Sequence, residues 1–186
     1  MILRRPDDPA TPIGPGWLHE VGRDITALGG VSTLVVLTLF VGGFLWLKRM
    51  HAAMWLVFGS TASGLVLGML LKNLFERERP QLVPHLSRVY THSFPSGHSM
   101  MSALVFLTLG VLLGRFVEEF RLKAYFLLVA LLLTFLVGIS RVYMGVHYPT
   151  DVLAGWAAGL AWALICWLIA RYLQRRGAVE RPIDAS

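Results

Sequence analysis

Cysteine is nearly absent from this sequence, and charge is scarce. The single Cys166 excludes an intrachain disulfide and a cysteine-built metal cluster; set inside an apolar stretch, it reads as a small packing residue. Only 15% of the 186 residues are charged, against roughly 25% in an ordinary soluble domain, while 55% are hydrophobic and mean hydropathy is +0.62. That balance excludes a soluble globular domain and places the chain among integral membrane proteins. The net charge of +6 does not point to nucleic acid, because the basic residues form no face with interleaved aromatics. Internal repeats, low-complexity tracts and strand-like alternation are also missing. Only helices and closed barrels satisfy their backbone in lipid, so the continuous apolar runs are predicted to be helices.

Five such runs are present, at 31–47, 52–71, 99–114, 124–139 and 152–170. A span needs roughly 17–25 residues, so the third and fourth must borrow flanking residues. The sequence predicts an all-α polytopic membrane bundle with five clear transmembrane helices and an N-terminal interfacial segment. Its predicted divisions are that segment over 1–30, a membrane domain over 31–172, and a cytoplasmic tail over 173–186. Within the first, Trp17, Leu18, Val21, Ile25 and Leu28 recur at helical spacing. No signal peptide is evident there, since Met1-Ile2-Leu3-Arg4-Arg5 leads into Pro6 and Asp7 rather than an apolar core. Such a segment ordinarily follows a first span. Either a further helix lies upstream, the favoured reading, or five helices suffice. Gly64-x3-Gly68 and Gly155-x3-Gly159 predict close helix approach, and dimerisation only weakly. Trp46, Trp55, Trp156, Trp162 and Trp167 read as interfacial or packing aromatics.

The side holding the N-terminal segment and the second and fourth loops carries eight Lys and Arg against seven acids. The other side carries nine against four, and the bias grows once Lys72, Arg79 and Arg141 are set aside as functional. The positive-inside rule then makes the second side cytoplasmic and the first outward-facing.

Three polar clusters interrupt the apolar chain, all on the outward side. A charge at mid-bilayer costs about 2.5–3.5 kcal/mol on insertion scales, so such groups are rare there without a task. The first cluster runs from Lys72 to Arg79 and Pro80. The spacing predicts Lys72 and Arg79 on one helix face, two turns apart, with Pro80 ending the helix. Two such cations can clamp a phosphate, although taken alone they read better as juxtamembrane anchors paired with Glu76 and Glu78. The second cluster, Pro95-Ser96-Gly97-His98, leads into the third apolar run. A loop entering a helix N-terminus aims unpaired N–H groups at an anion, Gly97 permits close approach, and His98 can exchange a proton near neutral pH. The third cluster is Ser140-Arg141-x5-His147-x3-Asp151. His147 and Asp151 stand at i and i+4, where a carboxylate can hold an imidazole in one tautomer. His85 and His92 lack a nearby cysteine or free carboxylate and predict no zinc site.

Together these clusters resemble the signature of the type 2 phosphatidic acid phosphatase family, the lipid phosphate phosphatases related to the vanadium haloperoxidases. Lys-x6-Arg-Pro, Pro-Ser-Gly-His and Ser-Arg-x5-His-x3-Asp match at every fixed position, and the resemblance covers about 26 to 172. It implies a helical bundle, usually of six spans, that hydrolyses lipid phosphate esters or anhydrides with no metal and no other cofactor. It further implies that His147 is a nucleophile forming a phosphohistidine, Asp151 orients it, and His98 is the general acid. Lys72, Arg79, Ser96, Gly97 and Arg141 would bind the phosphoryl group. Undecaprenyl diphosphate, phosphatidylglycerol phosphate, phosphatidic acid and a lipid A phosphate are the implied substrate candidates, with a carrier-lipid phosphatase acting on undecaprenyl diphosphate the best fit by family analogy and a phospholipid phosphate next. A bacterial inner membrane is the implied location, and no nucleic acid is a partner. A non-catalytic binder or translocator of lipid phosphates is the alternative, but binding needs only the cations, not His98, His147 and Asp151.

Overall fold

A computed structural model describes residues 12–75, 77 and 92–176. Its helices are α1 (Gly16–Leu28), α2 (Val31–Leu47), α3 (His51–Phe75), α4 (Gly97–Leu113), α5 (Phe120–Tyr143) and α6 (Pro149–Arg175), with a 3-10 turn at Gly114–Phe116 after α4. The five apolar runs correspond to α2 through α6. Helices α3, α4 with its 3-10 turn, α5 and α6 are each long and apolar enough to cross a membrane, while α1 and α2, bent by 49° at Gly29 and Gly30, qualify as a pair. The helical spacing from Trp17 to Leu28 corresponds to α1, whose Trp17, Val21 and Leu28 are exposed.

Alternating chain direction brings the C-terminal ends of α3 and α5 and the N-terminal ends of α4 and α6 to one end of the bundle. Helix α4 is central: 67% of its span is buried in the protein, against 22%, 22% and 17% for α3, α5 and α6. Both glycine pairs face this central helix. A Cβ on Gly159 would lie 2.3 Å from the Met100 carbonyl oxygen, and one on Gly155 would lie 2.7 Å from that of Ser96. Likewise, a Cβ on Gly64 would strike Leu104. These small residues let α3 and α6 approach α4 within one chain, so backbone proximity sets the position of the Ser96 loop.

The tryptophans divide into exposed and packed ones. Trp46 and Trp55 are exposed near the end opposite the clusters. Trp156 stacks on Phe135 and donates to the Thr134 carbonyl at 3.2 Å, and Trp162 donates to Ser63 Oγ at 3.0 Å.

The first cluster departs from the helical expectation. Helix α3 ends at Phe75, and Arg77 is already outside it. The Arg77 carbonyl accepts from the Ser93 N–H at 2.7 Å, a tertiary bond in place of the next helical one. The expected unbroken helix from Lys72 onward is thus already interrupted at Arg77. Arg79, Pro80 and His85 lie outside the described residues.

Candidate active site

Helix α6 begins where its own sequence dictates. Tyr148 is the N-cap, Pro149 occupies the first turn where its missing N–H is harmless, and Asp151 sits three residues beyond the cap. The Asp151 Oδ2 accepts the Tyr148 N–H at 3.0 Å. The carboxylate is thus a helix-capping group, as its sequence position suggests, but it is also wholly buried, and a buried charge must be compensated. Compensation comes from three further donors. Ser93 Oγ donates to Oδ2, His147 Nδ1 lies 3.4 Å from the same oxygen, and Arg77 Nη1 donates to Oδ1 at 2.9 Å.

These contacts fix the tautomer of His147. An ionised carboxylate only accepts, and the one hydroxyl proton of Ser93 is directed at Asp151. His147 Nδ1 lies 3.3 Å from Ser93 Oγ and 3.4 Å from Asp151 Oδ2, and with both of these oxygens acting as acceptors toward it, Nδ1 carries the proton. The lone pair of the neutral imidazole is then on Nε2. His147 is itself only 3% exposed.

The second cluster is tied to the third through main chain. The Ser96 N–H donates to the Asp151 carbonyl at 2.9 Å. Ser96 also caps α4: its Oγ accepts from Ser99 Oγ at 3.0 Å and, more weakly, from the Ser99 N–H at 3.5 Å. Gly97 and His98 occupy the first turn of α4, where N–H groups lack helical acceptors and the helix dipole is positive. Lys72, in the last turn of α3, extends to this turn, so that a Cβ on Gly97 would lie 3.7 Å from its Nζ. A larger residue at 97 would stand between that ammonium and the helix end. His92 Nδ1 lies 3.1 Å from the Lys72 carbonyl oxygen, which links loop and helix again.

Arg141 is in the last turn of α5, with its Nε buried, and its carbonyl accepts the Val146 N–H at 3.3 Å across the turn toward His147. Gly145 in that turn has φ +70°, a conformation that favours glycine. The neighbouring Ser140 hydroxyl meets that of Thr26 at 2.6 Å, fastening α1 to this end. Seven of the eight sequence-predicted site residues therefore belong to one end of the bundle; the eighth, Arg79, is not described.

Two contributors escaped the sequence reading. Ser93 bridges Asp151 and His147, and Arg77 pairs with Asp151 while its guanidinium lies 4.5 Å from the Tyr148 ring centroid and donates to Thr150 Oγ1 at 3.0 Å. Ser93 could have been flagged by its place just ahead of Pro95-Ser96-Gly97-His98. Arg77 had no such signal, lying in an alternating Glu-Arg-Glu-Arg run.

Several known proteins are similar to this chain in sequence or fold. A phosphatidylglycerophosphatase B from Bacillus subtilis (strain 168) is 39% identical over 150 residues, covering 77% of this chain and 71% of that protein. A lipid A 1-phosphatase from Rhizobium etli is 28% identical over 178 residues, covering 83% of this chain and 72% of its own. A crystal structure of a transmembrane PAP2-type phosphatidylglycerolphosphate phosphatase from Bacillus subtilis superposes with a TM-score of 0.80 at 34% identity, covering 88% of this chain and 81% of that one. The crystal structure of LpxE from Aquifex aeolicus gives 0.64 at 26% identity, over 83% and 88%. Residues 52–175 match the PAP2 superfamily. The chain belongs to the PAP2 superfamily.

Proposed function

We propose that this membrane lipid phosphatase hydrolyses a phosphate monoester or diphosphate of a lipid through a phosphohistidine at His147. The observation that carries the reading is the Asp151–Ser93–His147 hydrogen-bond set, which places the imidazole proton on Nδ1 and the lone pair on Nε2. In the first step Nε2 attacks phosphorus, the bond to the lipid oxygen breaks, and His98 gives that oxygen its proton. In the second, water attacks the phosphohistidine, passes a proton back to His98, and releases inorganic phosphate with Nε2 restored. Lys72, Arg79, Arg141 and the N–H groups at Ser96 and Gly97 would hold the phosphoryl oxygens. Phosphoryl transfer depends mostly on such positioning and charge stabilisation, which cations and oriented N–H groups supply. Ser93 and Arg77 act one step back, as positioning residues for Asp151.

The Lys and Arg distribution favours an outward-facing site. Two of the relatives named above are phosphatidylglycerol phosphate phosphatases and one is a lipid A 1-phosphatase, which favours a phospholipid phosphate ahead of a carrier-lipid diphosphate for this chain. Purified protein in detergent, with excess EDTA, should release phosphate from phosphatidylglycerol phosphate faster than from phosphatidic acid, undecaprenyl diphosphate or lipid A. Release from none of the four, or release only after a divalent metal is added, contradicts the reading.

A further inference from the structure

The end of the bundle remote from the site holds a feature the reaction does not use. A cavity of about 470 Å³ lies among the first turns of α3, the second half of α4, the first half of α5 and the last turns of α6. Sites for small organic ligands run from roughly 300 to 1,000 Å³. Its inner wall is hydrocarbon, including Leu107, Leu131 and Leu160, whereas Arg115, Arg171 and Gln174 line it at the helix ends. Polarity thus changes along the helix axis from apolar to cationic, in the order in which a phospholipid changes from tail to phosphate. Size alone would not single this cavity out. Another of about 410 Å³, between α2, α4 and α5, is lined by apolar side chains and a glycine, with nothing to select a headgroup.

The arginines make the difference. The Arg171 guanidinium lies 5.2 Å from the ring centroid of Trp167, itself a wall residue, and that contact holds it at the cavity edge. Among the described residues neither Arg115 nor Arg171 enters an ion pair. We propose that the cavity binds one anionic phospholipid from the leaflet opposite the catalytic end, an acyl chain lying among α3 to α6 and the phosphate on Arg115 and Arg171. Two guanidiniums match phosphate oxygens by paired N–H donation, and a headgroup carrying its own ammonium offsets that attraction. The four helices that would hold the lipid are the ones whose other ends carry Lys72, His98, Arg141 and Asp151.

The test is native mass spectrometry of the full chain in mild detergent, titrated with phosphatidylglycerol or with phosphatidylcholine of identical chains. The wild type should retain one phosphatidylglycerol at least about tenfold more strongly than phosphatidylcholine. The pair Arg115→Gln with Arg171→Gln should reduce that preference to near unity. Leu131→Trp, which fills the cavity while keeping both cations, should weaken retention of phosphatidylglycerol by a similar factor. Equal retention of the two lipids by wild type overturns the proposal. So does unchanged preference in the arginine pair, which would put the anionic site elsewhere, including the catalytic end. Unchanged retention in Leu131→Trp would also overturn it, since the tail would then lie outside the cavity. Binding is read without turnover, so loss of the phosphatase reading would leave this result standing.

Discussion

Asp151 concentrates the physical chemistry of the site in one carboxylate. It caps α6, compensates Arg77, receives the Ser93 hydroxyl and faces the imidazole of His147. Removing one of these donors leaves a buried charge less well compensated and a ring less well held. Hydrogen bonds to charged groups contribute about 1.5–3 kcal/mol, so Ser93→Ala should slow catalysis by about 10- to 100-fold. The loss should fall on kcat with KM little changed, because the phosphate cradle is untouched. Arg77→Ala should behave similarly, and Arg77→Lys should restore part of the rate by returning the charge without the fork. Steady-state kinetics on a soluble phosphate ester check both. A change confined to KM would instead put Ser93 and Arg77 among the groups that bind substrate.

Among the elements, α4 matters most, since the loop that caps it is positioned by how closely α6 can approach. Gly159→Ala would put a Cβ 2.3 Å from the Met100 carbonyl oxygen, whereas a Cβ on Gly59 meets nothing within 4 Å. Overpacking costs typically about 1–3 kcal/mol, so Gly159→Ala should lower the unfolding temperature in detergent and reduce activity. Gly59→Ala, on an open stretch of α3, should be neutral or slightly stabilising because alanine is the better helix former. Equal effects of the two would mean that α4–α6 proximity does not set the site.

Much at this scale was legible in the sequence. The five apolar runs became α2 to α6, the helical spacing from Trp17 to Leu28 became α1, and the Pro95-Ser96-Gly97-His98 loop entered a helix N-terminus, that of α4. What was not legible depends on contacts far apart in the chain. The end of α3 at Phe75 is fixed by a bond from Ser93, and Arg77 finds Asp151 across 74 positions. Neither leaves a local pattern, because alternating Glu and Arg after an apolar helix would equally suit a solvated extension. The glycine pairs announced a close approach without naming the partner, which is a neighbouring helix in the same chain.

For the whole molecule, the antiparallel arrangement puts Lys72, the Pro95-Ser96-Gly97-His98 loop and the stretch from Ser140 to Asp151 at one end, and so on the same side of any membrane that the bundle spans. A cysteine at Glu20, exposed on α1 beside the site, should react with an impermeant thiol reagent in intact cells when Cys166 is replaced by alanine. A cysteine at Glu119, exposed before α5 at the opposite end, should react only after the membrane is opened. The reverse pattern would put the site on the cytoplasmic face. The central claim, however, is chemical: His147 takes the phosphoryl group. The most direct measurement is rapid quenching of the enzyme with a lipid substrate radiolabelled in its phosphate, followed by peptide mapping of the label. The account predicts a base-stable, acid-labile phosphate on the peptide containing His147, formed and consumed at the turnover rate and absent from His147→Ala, which should also lose several orders of magnitude of activity. Label on another residue, or full turnover by His147→Ala, would contradict it.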